Sequence, residues 1–107
     1  MGTEFRVQRS GGFRRDDIEP LLRSKSYRGF DENFKQYSFG FIGQASGHDV
    51  PEFTLWFDGP DLGITAYEMT STAWEELSSL IQGFVREDPS VRITSWDDDE
   101  DMFSYFQ

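Results

Sequence analysis

One stretch constrains the fold of this chain more than any other: Ser71 to Asp88, STAWEELSSLIQGFVRED, followed by Pro89. Its apolar residues Trp74, Leu77, Leu80, Ile81, Phe84 and Val85 recur at i, i+3, i+6, i+7, i+10 and i+11, the spacing of one stripe on an α-helix. Thr72 is placed to cap the first turn, with Glu75 reaching back to it in a capping box. Asp88-Pro89 ends the run, because the residue before a proline is pushed out of helical conformation. Such a stripe has to be buried against a broad apolar surface, and the aromatic-rich segments on either side read as the sheet that provides one. The opposite side, with Glu75, Glu76, Ser78, Ser79, Gln82, Arg86 and Glu87, carries no constellation that suggests chemistry. The helix reads as a scaffold.

The rest of the chain supplies short strands. Phe5-Arg6-Val7-Gln8-Arg9 alternates apolar and polar and predicts a first strand, stopped by Ser10-Gly11-Gly12. Asp16-Asp17 offers a cap for a short helix from about Ile18 to Ser24, with Pro20 in the first turn, where its missing N–H costs little. In the aromatic segment Tyr27 to Phe41, the alternation of Tyr37, Phe39 and Phe41 predicts a strand with one aromatic face. Gly43 to Val50 reads as a polar loop. Phe53 to Phe57 and Leu62 to Met69 read as a hairpin around Asp58-Gly59-Pro60-Asp61, with Pro60 at the first corner of the turn. Val91 to Thr94 is the last strand. The order β-α-β-β-β-α-β predicts a single α+β domain over residues 1–107, with a mostly antiparallel sheet of about five strands backed on one face by two helices.

Composition narrows the function classes. The chain has no cysteine, which excludes disulfides, thiolate metal sites and thiol nucleophiles. Apolar bulk has to come instead from its 17% of aromatic residues. No apolar run approaches the roughly 20 residues of a bilayer span, and no signal-peptide pattern precedes the first strand, so a cytoplasmic setting is expected. Gly2-Thr3-Glu4-Phe5 matches what two common restriction sites encode in tandem, and residues 1–5 are read as vector-derived in part.

The net charge of −10 is divided unevenly. Residues 1–36 carry eight basic side chains against six acidic ones, whereas residues 37–107 carry only Arg86 and Arg92 against fourteen acids. An excess of this size cannot be neutralised within the chain, so part of its surface stays negative in any fold.

Candidate chemistry is sparse. The sole histidine, His48, lies in a Ser46-Gly47-His48-Asp49 loop, and groups so close in sequence do not converge as a catalytic triad. Asp97-Asp98-Asp99-Glu100-Asp101 offers hard oxygen ligands but lacks the glycine and distal glutamate of a calcium loop. Glu68, ahead of the capped helix, would matter if it faced inward; the polar side of a half-exposed strand is its ordinary place. The expectation is a protein with no metal, no cofactor and no enzymatic activity.

Ser38-Phe39-Gly40-Phe41-Ile42 resembles the core of the ribonucleoprotein signature of RNA recognition motifs, and the strand–helix–strand order ahead of it fits that family. The resemblance implies that Phe39 and Phe41 face solvent and stack bases. Phosphate binding calls for a basic surface, however, and the −12 balance of residues 37–107 opposes it. Packing of both rings against the capped helix is the competing expectation.

The remaining signal is an acidic surface with aromatic anchors. Trp96, Tyr105 and Phe106 flank the run Asp97, Asp98, Asp99, Glu100 and Asp101, and Asp58 and Asp61 add to it from the hairpin turn. Aromatic anchors ringed by complementary charge give protein interfaces both affinity and fast association. In size, lack of cysteine and charge the chain is similar to many bacterial immunity and antitoxin proteins and to DNA-mimic inhibitors, whose carboxylates stand in for phosphates. The expected function is therefore that of an acidic protein-binding module, an inhibitor or immunity-type protein against a basic partner such as a nuclease toxin. The alternatives are a regulatory or structural subunit and a small-molecule enzyme that uses carboxylates.

Overall fold

The computed structural model describes residues 2–40, 51–97 and 100–106. The helix announced by the sequence is α2, Ser71–Glu87. Ala73, Leu77, Ile81 and Phe84 form its buried centre. Trp74 and Leu80, both on the apolar stripe, fall on opposite flanks of that centre and are only partly buried. Ser78, expected on the solvent side, is buried.

The cap differs from the expected one. Thr70, two residues earlier, is the N-cap, and its Oγ1 accepts from the Ala73 N–H at 3.3 Å. The return half of the box comes from a distant acid: the buried Glu52 carboxylate accepts the Thr70 N–H. Glu75 is left exposed, because Thr72 already lies inside the helix.

The first strand, β1, spans Thr3–Gln8. A short 3-10 turn, Arg15–Ile18, leads into the one-turn helix α1, Glu19–Leu22, with Pro20 in its first turn as expected. The sheet continues with β2 (Tyr27–Asp31), β3 (Gln36–Phe39), β4 (Phe53–Asp58), β5 (Asp61–Ala66) and β6 (Arg92–Ser95). These strands form one six-stranded antiparallel sheet in the order β2-β3-β4-β5-β1-β6. The α+β class stands, with six strands in place of five.

The additional strand is β2. Its alternation is broken by Gly29, which sits at φ 144 where the register with β3 shifts between Tyr27 and Gly29. A bulge of this kind removes the period that reveals a strand in sequence. The β2–β3 connection is closed by the Asp31 carboxylate, which accepts from the N–H groups of Asn33 and Phe34. At the β4–β5 hairpin the two-residue loop is Gly59-Pro60, with Gly59 at φ 59. Proline therefore occupies the second corner and not the first, because the right-handed strand twist asks for positive φ at the first.

One sheet face carries Phe5, Val7, Leu55, Leu62 and Ile64 against Leu77 and Ile81 of α2, with Ile18 and Leu21 filling in from α1 and the turn before it. Phe5, read as part of a vector-derived leader, is fully buried at the centre of this core, and its strand pairs with both β5 and β6. On the opposite sheet face Trp56 lies across Gly63, where a Cβ would come within 2.2 Å of the indole.

Candidate functional site

The acidic tail is docked over its described part. Ser95 N–H donates to the Glu100 carbonyl at 2.7 Å, Met102 N–H to the Ile93 carbonyl at 2.8 Å, and Thr94 bridges to Asp101. Residues 100–102 thus cover the outer edge of β6 and satisfy backbone groups that would otherwise template aggregation. The Asp101 carboxylate is turned to its own chain, where it accepts from the Phe103 N–H. The 3-10 turn Phe103–Phe106 then drives Phe106 into the core. Its ring stacks on Trp74 at 5.4 Å and meets Phe5 edge-on at 5.0 Å, and its carbonyl accepts from the Gln82 amide.

This corrects part of the anchor expected from the sequence. Phe106 is fully buried and is not available to a partner. Tyr105 remains half exposed against Phe5 and Trp74. Asp97 and Glu100 are exposed, whereas Asp98 and Asp99 lie outside the described residues.

Trp96, Asp58 and Asp61 do come together, around a residue the sequence did not single out. Arg6, projecting from the outer face of β1, places its guanidinium 4.0 Å from the Trp96 ring, which in turn lies 5.4 Å from Trp56. The same guanidinium pairs with Asp61 at 2.9 Å and reaches Asp58 at 3.7 Å. Gln8 adds a 3.3 Å bond to Asp61. The two turn acids are therefore held by the chain's own arginine, which lowers what they can offer to another molecule.

Three further arginines are also spent close to home: Arg9 on Asp17 at 2.8 Å, and Arg15 and Arg23 on Glu19 at 3.2 and 3.4 Å. Glu68, Glu75, Glu87 and Asp97 are exposed and form no ion pair among the described residues. Glu68 stands at a bend beyond the end of β5 and does not face inward. Among the described residues the buried carboxylate is Glu52, which sequence reasoning passed over. Asp88 ends α2, and its carboxyl is held below the usual carboxylate range mainly by the Ser90 backbone N–H, with the Ser90 hydroxyl and the Arg9 charge helping.

The base-stacking expectation fails at Phe39, which is fully buried and stacked on Phe53 at 4.7 Å. The physical reason is its register: Phe39 pairs with Phe53, and both rings take the face of the sheet that α2 covers. Phe41, His48 and the loop from Gly43 to Val50 lie outside the described residues.

One concave surface was not foreseen. Between α1 with its preceding turn and the flank of α2 runs a groove of about 630 Å³. Pro20, Leu21, Leu80 and Phe84 supply its apolar lining, while Asp16, Asp17, Glu75, Glu76 and Glu87 supply charge of a single sign. The Glu76 side chain accepts from the Ser26 hydroxyl at 3.3 Å through Oε2, while its Oε1 is buried and has no hydrogen-bond partner among the described residues. A signal for this groove did exist in the sequence: three glutamates and a glycine share one flank of the α2 helix, but without α1 in place they read as an ordinary solvated face.

No family model, no curated protein and no solved structure matches this chain. Among the described residues no helix is long and apolar enough to cross a membrane.

Proposed function

We propose that this protein is an acidic protein-binding module whose partner presents a basic surface, and in its sharpest form an inhibitor or immunity-type protein that occupies the anion-holding site of a nuclease or other nucleic-acid-binding protein. The observation that carries this reading is the way charge is spent. The paired arginines of the N-terminal third reach acids near them and the two turn aspartates, while carboxylates of α2 and the segments flanking it stay exposed. A surface left this negative speeds encounter with a positive partner and disfavours binding to polyanions.

Affinity capture from the native host, repeated across a salt series, tests the reading. The expected partner has a pI above about 9 and is released as ionic strength rises past about 0.15 M, where the Debye length falls to roughly 8 Å. An acidic or neutral partner held equally well at high salt overturns it. The inhibitor form further requires that the purified chain suppress the nucleic-acid-directed activity of the captured protein at equimolar amounts.

A further inference from the structure

Among the described glycines, Gly83 is one that the fold itself does not explain. It lies in the interior of a 17-residue helix, where glycine costs roughly 0.5–1 kcal/mol relative to alanine. A Cβ added there meets nothing within 4 Å, so no neighbouring element needs the space. The position does, however, line the groove between α1 and α2. Thr72, Glu76, Ser79, Gly83 and Glu87 succeed one another along that side at intervals of three or four residues. At 1.5 Å per residue this wall is about 22 Å long, the length of a helix of roughly 15 residues.

We propose that this groove binds a cationic amphipathic helix of the partner, its apolar side seated on Pro20, Leu80 and the bare backbone at Gly83, and its lysines or arginines set against the acidic rim. The inference rests on the basic-partner reading above and gives that partner a place and a shape. Charge complementarity decides the occupant: among the described residues the groove is lined by five acids and no base, and of the five only Asp17 is engaged by an arginine. Carboxylates on either side of an apolar floor, Asp16 and Asp17 before α1 and Glu75, Glu76 and Glu87 on α2, match a helix with an apolar stripe between two cationic margins. A side chain at position 83 would stand where the incoming helix packs closest.

The test uses the full chain and a fluorescently labelled 15-residue peptide of leucine and lysine patterned as an amphipathic helix. Its comparators are a scrambled peptide of the same composition and one with glutamate in place of lysine. The patterned cationic peptide is expected to bind, and both comparators to bind at least about tenfold more weakly. Gly83→Trp is expected to weaken binding by about tenfold or more while the melting temperature stays at or above that of the parent chain, since tryptophan is a better helix former than glycine. The double variant Glu75→Lys, Glu87→Lys is expected to weaken binding similarly and to flatten its salt dependence, whereas Asp97→Asn with Glu100→Gln leaves it within about twofold. Unchanged binding by a folded Gly83→Trp chain, or equal binding of the scrambled peptide, overturns the proposal. So does a homodimer in sedimentation that Gly83→Trp dissolves, because the occupant is then a second copy. If the tail variant alone loses the peptide, or if no cationic peptide binds while affinity capture still recovers a basic partner released by salt, the groove is wrong and the basic-partner reading survives; if capture recovers no such partner, that reading falls as well.

Discussion

The two flanks of α2 are finished in opposite ways. On one, Trp74 lies nearly parallel to Phe106, 10° between ring planes, and Gln82 holds the Phe106 carbonyl, so that the end of the chain closes the core. On the other, Leu80 is left partly exposed beside Gly83, and α1, only four residues long, leaves the groove open above them. One helix thus has a flank whose apolar surface is satisfied within the molecule and a flank whose apolar surface is not. The difference separates residues that hold the fold together from residues free to meet a partner. It also sets beside the tail, whose Phe106 the fold has buried, a second open surface on the helix.

The closed flank gives the largest expected effect. Phe106→Ala removes a fully buried ring between Trp74 and Phe5 and should cost about 3–5 kcal/mol, read as a fall in the urea midpoint together with a red shift of Trp74 emission. A loss below about 1 kcal/mol would show that the tail merely rests on the core and would erase the contrast. Both flanks share the N-terminus of α2, which Glu52 ties to β4. Glu52→Ala leaves the Thr70 N–H without this acceptor and should cost about 1–3 kcal/mol, with Glu52→Gln costing less because an acceptor oxygen is retained.

On the open flank the sign reverses. Gly83→Ala should stabilise the chain by about 0.5–1 kcal/mol in the same urea titration, since the new methyl group touches nothing and the backbone loses freedom only in the unfolded state. Destabilisation would mean that α2 is already packed at that position. The smallest effect is at the helix end. Because the Asp88 carboxyl is held below its ordinary value of 3.8 in the fold, its stabilising contribution is complete above that pH and fades as pH falls through the lowered value. Asp88→Asn should remove that part of the acid sensitivity, so that a pH series of melts shows the variant slightly below the parent near neutral pH and the two converging as pH falls below the lowered value.

Much of the fold was legible because it is local. The α2 stripe, the Gly59-Pro60 hairpin turn and the alternating strands follow from period and turn chemistry that a few neighbouring residues carry. What escaped had long-range or interrupted causes. β2 was hidden by the bulge at Gly29. The second half of the α2 cap comes from Glu52, eighteen residues before Thr70, so the nearer Glu75 was credited with the role. Trp96, Asp58 and Asp61 were each singled out from sequence, yet their meeting around Arg6 required β1 to lie beside both β5 and β6.

By itself the sequence determined which residues share a face and how much charge the chain must carry, because periodicity and composition are independent of where distant segments go. The α+β class, the amphipathic α2 and an unavoidable negative surface all follow from that. Only the tertiary structure decided which faces are covered: it placed Phe106 against Trp74, turned Phe39 inward, and left the α1 flank of α2 open with its glutamates and Gly83. Coverage depends on contacts between segments far apart in the chain, and no local pattern encodes whether a helix flank will find a neighbour long enough to close it.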